Sequence, residues 1–200
     1  ATNPSAASFV TVWPDGSNRP TASNLNFAPG QTVPNRVVVK LGPTGKVDLF
    51  NAGGNVNLVA DVNGWYTSAS STEGGSLFVG VAPARILDTR YGTGGYFTPL
   101  GQGSQRAVQV AGKGGVPSVN GSDSPKAVVL NVTATGGSAA SYLTCWPDGA
   151  TWPGTSDLNW TPGITIPNLV VVELGPTGMV DIYNGGGAVD VVMDVVGYLH

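Results

Sequence analysis

Charged side chains are scarce in this sequence. Asp, Glu, Lys and Arg make up 10% of the 200 residues, less than half of the roughly 25% that is usual for globular proteins. The nine Lys and Arg residues form no basic run, and the net charge is −3. Such a chain offers no cluster of positive charge that could bind a nucleic-acid backbone or an anionic lipid surface. We therefore predict that nucleic acid is not a partner.

Cysteine and histidine are almost absent. Cys145 is the one cysteine, which excludes an internal disulfide and a disulfide-rich scaffold. His200, the one histidine, lies at the carboxyl end of the sequence, so a Ser-His-Asp or Cys-His relay has no base within the body of the chain. Zinc-type sites lack their ligands for the same reason. The sequence predicts no catalytic residue, no cofactor and no metal.

Calcium-site spacing and long apolar runs are missing as well. The Asp residues are dispersed and match no EF-hand pattern, while Asp15 and Asp148 follow Pro in WPDG motifs, where a turn-stabilising role is favoured. No apolar run approaches the roughly 18 residues of a membrane-spanning helix. We predict neither a calcium requirement nor membrane insertion.

Glycine, proline and short apolar runs are what the sequence does contain. There are 30 Gly and 15 Pro, and hydrophobic residues still make up 41% of the chain. The Gly and Pro interrupt almost every window that could hold a three-turn helix, and runs of strand length lie between them. The pattern predicts an all-β fold of antiparallel β-sandwich repeat modules.

The sequence repeats itself. Residues 1–67 align with residues 134–200 at a constant offset of 133 without a gap, and about 38 of the 67 pairs are identical. WPDG, LGPTG and the Asp61 and Asp194 positions all coincide. We call residues 1–67 the first B half, residues 134–200 the second B half and residues 68–133 the A half.

The boundaries between the halves differ in composition. The segment 68–75 is small and polar, which is typical of a flexible linker, whereas the run KAVVLNVTAT leads through GGSAA into SYLTCWPDG as a hairpin would. We therefore predict that residues 76–200 form a complete module, and that residues 1–67 are the second half of a preceding repeat. The chain is expected to begin inside a repeat of a longer protein, or after a proteolytic cut.

Alternating apolar residues predict the strands. Val56, Leu58, Ala60 and Val62 share one face, matched by their counterparts in the second B half, and we expect this face to be core. About eight strands are predicted for a complete module. The predicted strands are 9–13, 24–27, 36–41, 46–51 and 56–66 in the first B half, their equivalents 133 positions later, and 85–89, 106–110 and 127–133 in the A half.

The motif ARILDTR concentrates charge in a chain that has little. Strict alternation places Asp88 and Arg90 on one face of a strand and Arg85 on the other, and Asp194 is available to either Arg. We predict that Arg85, Asp88, Arg90 and Asp194 form a structural ion-pair cluster that clamps the A half to the B half. The alternative is a carboxylate- or sugar-binding site, because Arg presents a rigid fork of donors.

Tryptophan provides the candidate ligand site. Trp146, Trp152 and Trp160 crowd the second B half, and exposed rings on a β-sandwich can stack on the apolar faces of sugars. We predict these three residues as sugar-binding candidates. Trp146 recurs as Trp13 just before a turn, which is also typical of a core or lid residue, and Arg19 stands in place of Trp152.

Several motifs together resemble a known family. APARILDTR, KAVVLNVTAT, WPDG, SDLNWTPG, IPNLVVVELGPTG and MDVVGY are similar to a tandem repeat of secreted actinobacterial proteins, found alone in arrays and appended to extracellular hydrolases. The likeness covers essentially the whole chain. It implies an extracellular or cell-surface location and a module role without a reaction of its own.

Two functions are compatible with these features. The favoured one is a non-catalytic structural or adhesive repeat module, which could assemble into a head-to-tail array or fibre. The alternative is a carbohydrate-binding module that targets an attached hydrolase to polysaccharide.

The first B half raises a separate question, since no A half precedes it. An open sheet would expose an apolar face and unpaired strand edges, which natural proteins avoid. The cover could be an A segment of another molecule, added as extra strands, or the chain's own residues 76–133, shared between both B halves. The predicted linker favours the first solution. The expected partners are therefore other copies of the module or the missing half-repeat, with polysaccharide as a further candidate.

Overall fold

Regular structure in the described part of this chain is entirely β. The computed structural model describes residues 1–67, 75–121 and 123–200, and within these ranges it contains eleven strands in three antiparallel sheets and no helix. This confirms the predicted all-β class. The chain divides into two compact units, Ala1–Ala60 and Asp61–His200. The predicted linker 68–75 lies outside the described residues apart from its last position.

The first unit holds a single small sheet. Strand β1 (Ser8–Pro14) lies between β2 (Leu25–Phe27) and β3 (Val47–Asn51). Both pairings are antiparallel. Val10 and Phe27 are buried, which makes them the apolar centre of this unit.

The second unit is a complete β-sandwich of eight strands. One sheet has the order β5-β10-β7-β8 and the other β4-β11-β6-β9. Apolar side chains from both sheets form one core, because alternate residues of each strand point to the space between the sheets. The strands are β4 (Phe78–Asp88), β5 (Ser104–Gln109), β6 (Ala127–Thr135), β7 (Ser141–Pro147), β8 (Leu158–Trp160), β9 (Ile166–Glu173), β10 (Met179–Asn184) and β11 (Asp190–Leu199).

The predicted core face of the last strand is confirmed in the second unit. Val191, Met193 and Val195 are fully buried on β11, and Val189 just before it is 1% exposed. Strand β6 faces them across the ladder and has the same alternation. Its fully buried residues are Val128, Leu130, Val132 and Ala134.

Both sheets combine strands of the A half and the second B half: they alternate in β4-β11-β6-β9, whereas the other sheet has the A-half strand β5 at the edge of three B-half strands. Strand β6 is central: it pairs with β9 on one side and β11 on the other. Strand β4 pairs with the outer edge of β11, and β5 pairs with the edge of β10. Neither sheet could reach four strands from one half alone.

The predicted hairpin between KAVVLNVTAT and SYLTCWPDG is wrong. These runs are β6 and β7, and they belong to different sheets. The Gly-rich segment between them carries the chain from one layer of the sandwich to the other. Length and composition of a loop can suggest a hairpin, but pairing is decided by which neighbour completes each sheet.

The two B halves share equivalent local hydrogen bonds. The indole N–H of Trp13 donates to the Ser17 carbonyl at 3.1 Å, and its counterpart Trp146 donates to Ala150 at 3.1 Å. Equivalent backbone amides are capped at 2.8 Å by side chains 12 residues later, Val12 by Asn24 in the first half and Cys145 by Asp157 in the second. Consequently β1, β2 and β3 reproduce the arrangement of β7, β8 and β10.

Two predicted strands of the first B half are not present. Residues 36–41 and 56–66 have no strand structure, although their counterparts are β9 and β11. The difference is one of partners, because in the second unit β9 and β11 do not pair with each other and are joined through β6. Among the described residues, Asn57 forms an isolated bridge with Thr2, and no longer ladder includes residues 36–41 or 56–66.

Candidate functional site

The predicted charged cluster lies at the junction of the A half and the second B half. Strand β4 carries Arg85 and Asp88 near its carboxyl end, and Asp194 lies on the neighbouring β11. The Arg85 guanidinium binds Asp194 in a bidentate manner, with Nε to Oδ1 at 2.9 Å and Nη2 to Oδ2 at 3.2 Å. Its Nη1 also donates to Asp88 Oδ2 at 3.1 Å.

Strict alternation of side chains along β4 predicts a different position for Arg85. Arg85 was expected on the face opposite Asp88, but the ladder between β4 and β11 shifts register between Met193 and Asp194, so that Asp194 faces Arg85 while Met193 faces Leu87. Such a shift rotates the following side chains relative to simple alternation. It brings Arg85 to the same side as Asp88.

Asp88 is the centre of the cluster. Its side chain is 1% exposed and accepts from both guanidiniums: Arg90 Nε donates to Oδ1 at 2.9 Å and Arg90 Nη2 donates to Oδ2 at 2.7 Å, in addition to the bond from Arg85. The backbone N–H of Arg90 donates to Oδ1 at 3.1 Å. A buried carboxylate needs this degree of pairing because an unpaired buried charge is very costly.

The electrostatics of the cluster follow from these contacts. Hydrogen bonds from Arg90 outweigh the cost of burial and hold the pKa of Asp88 below its usual value. The same pairing raises the pKa of Arg90, and the hydrogen bond to Asp194 raises that of Arg85. Asp88, Arg85 and Arg90 are therefore charged at neutral pH.

A second polar link beside the cluster was missed from the sequence. Thr89 Oγ1 donates to Asp190 Oδ1 at 2.7 Å and accepts from the backbone N–H of Val191 at 3.1 Å. Thr89 is 1% exposed. It lies inside the ARILDTR motif, but Asp190 is replaced by Asn57 in the first B half, so the repeat gave no signal for this pair.

The cluster presents few vacant donors to a ligand. Arg85 and Arg90 are 47% and 37% exposed at their side chains, yet their forks are directed at Asp88 and Asp194. The arrangement joins β4 of the A half to β11 of the B half, which favours the structural interpretation. Ligand binding at these residues stays untested.

The tryptophan site is wrong as predicted. Trp146 and Trp160 are only 3% and 5% exposed, so neither ring face is available to a sugar. Trp160 belongs to the core of the sandwich and packs so close to Gly137 that a Cβ there would clash with the indole nitrogen. Trp152 alone of the three is exposed, at 47%.

Trp152 instead belongs to a different aromatic group, which we call the Tyr142 cluster. Its ring centroid lies 5.3 Å from that of Tyr183 on β10, and Tyr183 lies 6.1 Å from Tyr142 on β7. Burial, together with the neighbouring Tyr183, raises the pKa of Tyr142. Three adjoining rings with one exposed indole offer an aromatic surface for stacking.

The equivalent place in the first B half is built from other residues. Phe9 and Phe50 lie 6.3 Å apart, and the Arg19 guanidinium stands 3.7 Å above the Phe50 ring. The two tyrosines could have been found in the sequence, because their positions are aromatic in both copies. Arg19 in place of Trp152 gives the two surfaces different charge.

Carboxylates in the described ranges are not grouped for metal binding. No three His, Cys, Asp or Glu residues there converge on a common point. Asp15 and Asp148 each accept a hydrogen bond from the Thr of the LGPTG turn, Thr44 at 2.7 Å and Thr177 at 3.3 Å. The described residues also include no helix able to cross a membrane.

Replacing Asp88 should destabilise the second unit. We expect Asp88→Ala to lower the melting temperature by about 2 °C or more, since two guanidiniums lose a buried partner. Asp194→Ala should cost less because its side chain is 23% exposed and remains accessible to water. Calorimetry of both variants checks this order, and an Asp88→Ala protein that melts like the parent would contradict the structural role.

Acid should remove the same stabilisation. The pKa of Asp88 is lower in the folded chain than in the unfolded chain, so its contribution is complete above about pH 4 and declines as pH falls below that value. Urea unfolding of the parent and Asp88→Ala proteins at pH 7, 4 and 3 measures this. The difference between them should shrink with falling pH, and a difference that grows would refute the assignment.

Calcium should have no effect on stability. Asp15 and Asp148 are engaged in turns and Asp88 and Asp194 with Arg. No group of three or more carboxylates converges among the described residues, whereas the ion prefers six or more oxygens. We expect the same melting temperature in EDTA and in millimolar calcium. A drop in EDTA that calcium reverses would show that a site exists.

Comparison with known proteins adds no assignment. No protein-family model matches the sequence, and no curated protein matches it. Membership of the repeat family that the motifs resemble therefore stays a prediction, and function must be argued from the geometry.

Proposed function

We propose that this chain is a non-catalytic structural or adhesive repeat module of an extracellular protein, and that such modules follow one another in a head-to-tail array. The observation that carries the proposal is the position of the module's ends. Leu77 N donates to the His200 carbonyl at 2.9 Å, and His200 N donates to the Leu77 carbonyl at 3.1 Å. The residue before β4 and the residue after β11 therefore lie side by side.

Adjacent ends allow a module to be inserted into a longer chain as an independently folded domain. In the second unit they lie on the neighbouring antiparallel strands β4 and β11, so a force applied to both ends would open the ladder one rung at a time. This geometry suits a displayed or adhesive domain better than a rod under tension.

The buried polar groups of the module support a structural role. Asn184, fully buried on β10, donates to the carbonyls of Leu100 and Gly101 at 2.9 and 3.2 Å, and accepts from Ser141 at 2.7 Å. Asp88 is similarly committed to Arg85 and Arg90. Side chains held in this way organise loops and sheet edges.

Carbohydrate binding is a second candidate, and the Tyr142 cluster favours it. The exposed Trp152 ring rests on Tyr183, which limits its freedom and so reduces the entropy lost when a ligand orders it. The site would use Trp152 for stacking, with Tyr142 and Tyr183 at its border. This proposal replaces the three-tryptophan platform.

One experiment separates the two functions. The full chain is incubated with chitin, cellulose and peptidoglycan, and bound protein and released reducing sugar are both measured. Trp152→Ala is the test variant. Trp65→Ala is the matched control, because Trp65 is also exposed, at 76%, and lies outside the Tyr142 cluster.

The structural or adhesive proposal expects no sugar release and no polysaccharide retention that depends on Trp152. Retention abolished by Trp152→Ala but preserved in Trp65→Ala would establish the carbohydrate-binding alternative. Release of reducing sugar would contradict a non-catalytic module.

A further inference from the structure

The first unit has a pocket on one face of its small sheet. The pocket has a volume of about 360 Å³ and is lined by Phe9, Thr11, Asn26 and the loop 19–23. Phe9 and Thr11 lie on the face of β1 opposite Val10, which is part of the apolar centre of this unit. The volume is within the range of pockets that hold small ligands.

Arg19 supplies the charge of this pocket and is the one ionisable side chain in its lining. Its guanidinium lies 3.7 Å from the centre of the Phe50 ring, as a cation–π pair. Among the residues that the structure describes, no hydrogen bond or ion pair engages this guanidinium. Asp48 shares the Phe50 face of β3 but is not part of the lining. The N–H donors of Arg19 are therefore held in place and vacant.

The loop that carries Arg19 is fixed to β1 on both sides of that residue. Before it, the Trp13 indole N–H donates to the Ser17 carbonyl at 3.1 Å. After it, the Thr11 hydroxyl donates to the Ala22 carbonyl. A pocket held by such bonds exists before a ligand arrives, which reduces the entropy lost on binding.

Ser23 and Asn26 add groups that can bind hydroxyls. Asn26 Nδ2 donates to Ser23 Oγ at 3.2 Å. This bond leaves the Ser23 O–H as a donor and Asn26 Oδ1 as an acceptor, neither of which has a partner among the described residues. A sugar hydroxyl both donates and accepts hydrogen bonds, so these two groups complement it.

The second unit repeats this frame and changes the group beside the ring. Ser156 and Asn159 form the equivalent hydrogen bond at 3.1 Å. Trp152 occupies the repeat position of Arg19, and its ring lies 5.3 Å from that of Tyr183. In both repeats the side chain at this position packs on an aromatic ring, but it is an uncharged indole in one and a cation in the other. The two places therefore differ in the ligand they suit.

We propose that this pocket, which we call the Arg19 pocket, binds a sugar that carries a carboxylate, such as a uronate unit of an acidic polysaccharide. The carboxylate accepts two hydrogen bonds from the guanidinium fork of Arg19. The sugar ring lies against Phe9, and its hydroxyls bind Ser23 and Asn26. One guanidinium balances the single charge of a carboxylate, whereas a phosphate monoester carries about −1.5 to −2.

Binding at the Arg19 pocket goes beyond the proposed function, because the pocket lies within the first unit and requires neither an array of modules nor the Tyr142 cluster. Each of its binding groups comes from residues 9–26, and Phe50 of the same unit supports Arg19. A charged ligand and an exposed Arg also make the expected affinity sensitive to salt.

The test is calorimetric titration of the full chain with trigalacturonate, in which every sugar carries a carboxylate. The control ligand is the methyl ester of the same trisaccharide, which keeps the sugar rings and removes the charge. Arg19→Gln is the test variant. Lys46→Gln is the matched control, because Lys46 is also exposed in the first unit, its replacement removes the same charge, and it lies outside the pocket.

We expect Arg19→Gln to bind trigalacturonate at least about tenfold more weakly than the parent, since a charge-assisted pair is lost. Lys46→Gln should bind as the parent does, and the methyl ester should bind the parent at least about tenfold more weakly than the acid. Arg19→Lys keeps the charge without the planar fork, so its affinity should lie between those of the parent and Arg19→Gln. All three variants should melt like the parent because the replaced side chains are exposed.

Equal affinity for the acid and its ester would overturn recognition of the carboxylate. Equal losses in Arg19→Gln and Lys46→Gln would overturn the assignment to the pocket, and displacement of trigalacturonate by an equal concentration of inorganic phosphate would overturn its selectivity for a sugar acid. No binding by the parent at millimolar ligand would refute the site altogether. The proposed function is tested through Trp152 and reducing sugar, so it and the Arg19 pocket can fail separately.

Discussion

Hydrogen bonding along both edges of β6 is the interaction on which the complete sandwich depends. The strand pairs with β9 and β11 over its whole length, and every second side chain enters the core without exposure. A backbone that leaves water must find partners for its N–H and C=O groups. Strand β6 satisfies this requirement for three strands at once, and its side chains close the space between the two sheets. Both sequence halves therefore contribute strands to the same sheets and side chains to the same core.

The availability of partner strands also decides which strands form in the first B half. Strands β1, β2 and β3 form because their partners lie within the first 51 residues, and the turns between them are fixed by local hydrogen bonds. The counterparts of β9 and β11 form no strand, and the bridge between Thr2 and Asn57 is the isolated pairing described there. Strand propensity alone is too weak to order them, because what it measures is the fit of a side chain to a pleated, half-buried surface supplied by other strands.

The few ion pairs of this charge-poor chain are concentrated at one junction. In a chain with 10% charged residues, Arg85, Asp88, Arg90 and Asp194 meet where the A half joins the B half. Apolar burial holds the halves together without strong directionality, whereas bidentate Arg pairs require one relative position. The cluster can thus select the register between β4 and β11, including its shift next to Asp194. Asp61 carries the same acceptor group in the first repeat half.

The sequence by itself determined the repeat, the all-β class, the apolar face of the last strand and the four members of the charged cluster, because periodicity and composition are local properties. The tertiary structure decided the rest. It placed β6 and β7 in different sheets, buried Trp146 and Trp160 while leaving Trp152 exposed, and brought Arg85 beside Asp88 through a register shift. It also decided that one of two similar segments becomes β11 while the other stays irregular. Each of these outcomes depends on a neighbour distant in sequence, and a backbone acquires strand structure only when that neighbour supplies the hydrogen bonds.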